Sequence, residues 1–155
     1  MTKPRGRHIA KGPIRVEDMD ALLRFLPIFE SPGFVFGERY PPRWLGPKRW
    51  RLGFAGLTKL SRQFYKAIYK HHWAIGFDWG AWGDEARSYM EDPDKLRTAD
   101  IETIRKLLTA HVRADRFIEG HFFRVLESGH IIAILRRLKQ IREGMGEREG
   151  EGEGE

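Results

Sequence analysis

Apolar residues recur along this chain at spacings of three and four, the period of a helix with one buried face. The pattern is strongest after Asp100. Ile101, Ile104, Leu107, Leu108 and Val112 form one stripe; Phe117, Ile118, His121, Phe122, Val125 and Leu126 a second; Ile131, Ile134, Leu135, Leu138 and Ile141 a third. Asp100 stands where an N-cap carboxylate accepts the first free amides of a helix, and Ser128-Gly129 supplies the left-handed residue that ends one. The spacing therefore predicts three consecutive helices between Asp100 and Arg142, turning near Ala114 and Gly129. Connections this short pack neighbouring helices against each other.

Before Asp100 the same period comes and goes. Glu17 and Asp18 precede Met19, Leu22, Leu23 and Leu26, so a first helix is expected up to Pro27. Pro32, Pro41, Pro42 and Pro47, set among glycines, rule out helix through residues 28–56. That segment is expected to be loop-rich, with room for one small β-hairpin within residues 33–55; Phe34 to Phe36 and Arg51 to Phe54 are the candidate strands. Leu57 to Trp73 resumes a helical face of Leu57, Leu60, Phe64, Ile68 and His72, opposite Lys59, Arg62, Lys66 and Lys70. Asp78 is placed to cap a third helix carrying Trp79, Trp82, Ala86, Tyr89 and Met90, and Asp92-Pro93 opens a short turn through Leu96. The expected fold class is mainly α, with about five or six helices in one compact domain.

Composition changes this picture at the ends. Residues 1–13 combine turn formers and cations with little apolar material, and residues 143–155 hold six Glu among alternating Gly. The expectation is a mobile basic arm, a single helical domain over residues 14–142, and a disordered acidic tail. No apolar run reaches the length of a bilayer span, and the basic N-terminus lacks the apolar region of a signal peptide, so cytoplasmic residence without membrane contact is expected. There is no Cys, hence no disulfide or thiolate chemistry, and there is no Asn, beside 32% charged residues. Scarce thermolabile side chains with abundant charge make a thermophile-like composition.

The net charge of +6 is unevenly placed. Residues 39–77 contain nine Lys or Arg, nine aromatics and no carboxylate. Cations neutralise phosphates and aromatic faces stack on bases, so this block is the candidate nucleic-acid or anion surface. Within it Tyr40, Trp44 and Trp50 are interleaved with Arg39, Arg43, Lys48, Arg49 and Arg51; Arg113 and Arg116 are further candidates for holding an anion. The bland alternative is that the aromatics are core and the cations a solvated rim.

A second candidate lies between residues 111 and 121. His111, Arg113, Asp115, Arg116, Glu119 and His121 place six ionisable groups within eleven residues. On an unbroken helix His111, Asp115 and Glu119 would share a face, as an acid–base or metal site of a hydrolase requires; His121 and His130 would extend it. The structural alternative makes Asp115 a helix cap, pairs Arg113 and Arg116 with Glu119 or Glu127, and packs His121 into the core. No metal-ligand spacing such as His-Glu-x-x-His occurs, nor any phosphate loop, dinucleotide fingerprint or nucleophile elbow, so no metal or cofactor is expected. A helix-turn-helix around Ser128-Gly129 is disfavoured, because its reading helix would begin with Ile131, Ile132, Ala133 and Ile134.

Leu26-Pro-Ile-Phe29 with Gly33-Phe34, Phe77-Asp78-Trp79 with Trp82, Arg113-x-Asp115-Arg116-Phe117-x-Glu119-Gly120 and Glu127-Ser-Gly-His-Ile131 carry a family resemblance. Over about residues 20–142 the chain resembles an uncharacterised bacterial and archaeal family known only as a domain of unknown function. The resemblance implies no activity and no site residues. The residues themselves favour a binding module that contacts nucleic acid or an acidic partner through residues 39–77. The alternatives are a hydrolase using His111, Asp115, Glu119 and His121, or a structural domain that dimerises through Ile132, Phe123 or Trp44.

Overall fold

In a computed structural model, residues 12–47, 49–51 and 54–153 are described, with side-chain surroundings for 12–47 and 56–145. The element order is α1 (Val16–Leu23), α2 (Leu26–Phe29), β1 (Gly37–Tyr40), β2 (Arg43–Gly46), β3 (Arg49–Arg51), β4 (Phe54–Leu57), α3 (Lys59–Lys70), α4 (Gly83–Glu91), a 3₁₀ helix (Pro93–Thr98), α5 (Ile101–Asp115), α6 (His121–Glu127) and α7 (His130–Glu153). The fold is mainly α, as the periodicity predicts, with seven α-helices among the described residues rather than five or six.

The three C-terminal stripes become α5, α6 and α7, and α7 packs against α1, α2, α5, α6 and the 3₁₀ helix. Asp100 caps α5 by accepting from the Thr103 amide at 2.8 Å. Gly129 has φ +85°, the left-handed conformation a non-glycine residue reaches only at a cost, so the turn into α7 is tight. Ile131, Ile134, Leu135 and Leu138 are fully buried, which puts the first turns of α7 in the core and leaves no reading helix there. Arg136 pairs with Glu30 and Arg142 with Asp20, lacing α7 to the N-terminal helices.

An aromatic cluster joins the two halves of the chain. The Phe64 ring meets Phe25 at 5.3 Å and Phe29 at 5.2 Å, both edge to face, and lies 6.2 Å from Phe122. Trp73, fully buried, donates its indole N–H to the Asp18 carbonyl at 2.8 Å, which fixes α1 to the end of α3. Arg105, also buried, donates to the carbonyls of Gly12 and His72 and ties three separate segments together.

Several local expectations are corrected. The first helix is two, because α1 ends at Leu23 and α2 restarts at Leu26, with Pro27 in its first turn where a missing amide hydrogen costs nothing. Phe34 to Phe36 is not a strand. Its rings pack on Phe29 instead, and the ribbon spans residues 37–57, with β1 antiparallel to β4 and β2 antiparallel to β3. Arg51 ends β3 and Phe54 begins β4, so the strand expected across them is divided; residues 52 and 53 lie outside the described residues. Asp78 caps a turn, accepting from the Ala81 amide, while α4 starts only at Gly83 and leaves Trp79 and Trp82 before it. His72 follows the end of α3 at φ +67° and is not part of its face. At the C-terminus, α7 runs to Glu153, and Met145 packs against the core. The arm, residues 1–11, lies outside the described residues. Among the described residues no helix is long and apolar enough to cross a membrane.

Candidate functional site

Two places gather polar side chains, and the geometry separates them. The first is built on α3. Thr58, just before the helix, donates to the carbonyl of Val35 at 2.7 Å, so the start of α3 is fixed to the loop that enters the ribbon. Phe64 and Ile68 point into the core with no exposure, and the helical period then turns Arg62, Lys66 and Lys70, one turn apart, outward. They border a groove of about 500 Å³ whose remaining walls are Leu57, Tyr65, Tyr69 and Asp115. Tyr65 is fixed in that wall by donating its hydroxyl to the Val112 carbonyl at 3.0 Å. Among the described residues, none of Arg62, Lys66 and Lys70 forms an ion pair with a carboxylate. Arg62 instead donates to the Leu57 carbonyl. The groove thus offers three cations over a mainly apolar, aromatic wall.

The ribbon beside it carries the other cations of the basic block. Arg39 is paired with Glu127 and lies over the Phe123 ring at 4.7 Å, so its charge is engaged within the protein. Arg43 and Trp44 are exposed on β2, Trp44 at 61%. The strand register sets Arg43 opposite Arg51 and Trp44 opposite Trp50, with Arg49 opposite Gly46. Lys48 lies outside the described residues, and for Arg49, Trp50 and Arg51 only the backbone is described. At the end of α5 Arg113 is half-buried and, just after it, Arg116 is exposed.

The second place is a histidine cluster at the junction of α5, α6 and α7. His111, 3% exposed, and His130, 6% exposed, meet with ring centroids 5.2 Å apart, edge to face. His111 Nδ1 lies 3.2 Å from His121 Nε2, one nitrogen donating and the other accepting. Removing these rings from water disfavours their charged forms. Burial pushes His111 well below its ordinary value, and His130 and His121 act in the same direction. Burial lowers His130 to about 4. His121 is lowered by burial and by Arg124, partly opposed by Asp115. All three are neutral at pH 7.

The helix that would have aligned His111, Asp115 and Glu119 ends at Asp115. The Asp115 carboxylate accepts from the Phe122 amide at 2.9 Å and so caps α6, which begins at His121 after Gly120 rather than near Arg116. Glu119 sits exposed in the intervening turn, and Glu127 serves Arg39 rather than Arg113 or Arg116. His111 and His121 are brought together, while the Asp115 carboxylate is engaged by the Phe122 amide and Glu119 is exposed. Among the described residues no group of three or more His, Asp or Glu is arranged to hold a metal ion.

The α3 cations are legible in the sequence as the polar face of a helix, Lys59, Arg62, Lys66 and Lys70. The stronger signal was their spacing, 62, 66 and 70, with Tyr65 and Tyr69 each one residue before a lysine. Phe117 and Ile118, counted as core by their period, are 77% and 51% exposed because they fall in the turn between α5 and α6.

Residues 14–144 match the family described as "Family of unknown function (DUF6508)". No curated protein and no solved structure matches the chain.

Proposed function

The chain belongs to DUF6508, a family of unknown function, and from that premise we propose that it is a non-catalytic binding module that holds an extended anion, nucleic acid or an acidic partner, along α3. One observation carries this reading. Arg62, Lys66 and Lys70 rise one turn apart beside a groove of about 500 Å³, without carboxylate partners among the described residues. Three cations so placed repel one another across solvent, and a bound polyanion relieves that repulsion while releasing its own counterions. Arg43 and Arg51, at opposed positions on the ribbon, repeat the motif nearby.

The test is direct titration of the full chain with labelled single-stranded DNA, duplex DNA, RNA, polyphosphate and poly-glutamate at low salt. If three phosphates are engaged, affinity falls about twentyfold for a single strand and about fortyfold for duplex DNA as salt rises from about 50 to about 200 mM. The combined replacement Arg62→Glu, Lys66→Glu and Lys70→Glu abolishes binding without lowering thermal stability. Reversal at Arg43, Arg49 and Arg51 weakens it. No binding to any of the five probes at low salt overturns the reading.

A further inference from the structure

The turn between α5 and α6 contains an exposed aromatic that the fold does not use for its core. Phe117 is 77% exposed, although burying such a ring is worth roughly 2 kcal/mol or more. It is not on a loose loop. Its amide donates to the Ala114 carbonyl at 3.0 Å, as does that of Ile118; the His121 amide donates to Ile118, and Arg124 donates to the Glu119 carbonyl. Gly120, at φ +75°, closes the turn. One face of the ring is stacked on Trp79, with centroids 5.8 Å apart and planes 28° from parallel, and Trp79 itself packs on the core. A ring backed on one side and still 77% exposed presents its other face to solvent.

Its place gives that face a use. Asp115, two residues earlier in the chain, is a wall of the α3 groove, and exposed Arg116 lies between that wall and Phe117 in sequence. Cations that follow a backbone, with a fixed aromatic face beside them, are the combination by which proteins hold unpaired bases. A duplex keeps its bases stacked inside and offers no face to such a ring. Resting on the proposed anion-binding reading, we propose that Phe117 is a base-stacking platform and that the ligand of the α3 groove is a single-stranded polynucleotide.

The experiment compares the wild-type chain with Phe117→Ala and Phe117→Trp, titrating each with single-stranded DNA, single-stranded RNA, duplex DNA, polyphosphate and poly-glutamate at one low salt concentration. Base stacking predicts that Phe117→Ala weakens both single strands by about 5-fold to 150-fold, leaves polyphosphate unchanged, and that Phe117→Trp restores the loss. The relative strength of DNA and RNA then says which single strand is preferred. An unchanged affinity in Phe117→Ala, an equal loss for polyphosphate, or tighter binding of duplex or poly-glutamate than of single strands overturns the platform while leaving the anion groove standing. Failure of every probe with the wild-type chain removes the groove reading itself. Because the side chain lies outside the core, thermal unfolding of the variants is expected within about 1 °C to 3 °C of wild type, and a larger drop together with loss on all probes counts as structural damage and also overturns the proposal.

Discussion

His130 loses its contact with water on folding, and the physical consequence is a dependence of stability on pH. In the unfolded chain its imidazole takes up a proton near pH 6.5, but in the folded protein burial lowers that value to about 4. Below pH 6.5 the unfolded state therefore binds more protons than the folded state, so stability is full above that pH and falls as pH drops toward 4. By pH 5 this residue alone removes roughly 2 kcal/mol, and His111, lowered in the same direction, adds to the loss. Urea unfolding at pH 7.5 and pH 5 measures it, and His130→Leu is expected to flatten the profile. A wild-type midpoint that is the same at both pH values would contradict neutral, buried histidines. That these side chains carry weight was readable from their number in a short segment. That His111 pairs with His121 rather than with Asp115 was not, because the partner comes from a different helix.

At the scale of elements, the junctions hold the arrangement in place. Asp115 lends its carboxylate to the Phe122 amide across the turn, so Asp115→Ala is expected to cost about 1 kcal/mol, read as a lower thermal midpoint. The same change takes the one carboxylate off the described walls of the α3 groove and is expected to tighten polyanion binding slightly. The ribbon is seated with less tolerance. A β-carbon at Gly37 would come 2.7 Å from the Gly56 carbonyl oxygen and 3.0 Å from the Phe123 ring. Backbone cannot move aside as a flexible side chain can, so Gly37→Ala is expected to loosen the ribbon from α6 and destabilise the fold by about 1–3 kcal/mol. Faster amide exchange in β1 and β4 than in α7 would locate the damage there, and unchanged exchange would refute it. Helix ends were the least legible feature of the sequence. The apolar period includes Phe117 and Ile118 even though α5 ends at Asp115 and α6 begins only at His121, and only the position of α6 decides where the turn must fall.

Over the whole molecule the core depends on rings contributed from distant parts of the chain. Phe64→Ala would leave a void between Phe25, Phe29 and Phe122, costing about 3–5 kcal/mol, a large share of the stability of a domain this size. Denaturant unfolding measures that loss, and a cost below about 1 kcal/mol would mean the cluster collapses to refill the space. The mainly α class and the three C-terminal helices follow from the sequence by itself, because helical period and caps depend on residues within a few positions of one another. The concentration of cations in residues 39–77 is equally a sequence property. Tertiary structure alone decided which of those cations remain available, Arg39 being drawn to Glu127 while Arg62, Lys66 and Lys70 are left beside a groove. It also placed Phe117 outside the core and buried His111 and His130 beside half-buried His121, since exposure and pairing depend on which surfaces meet when separate helices pack.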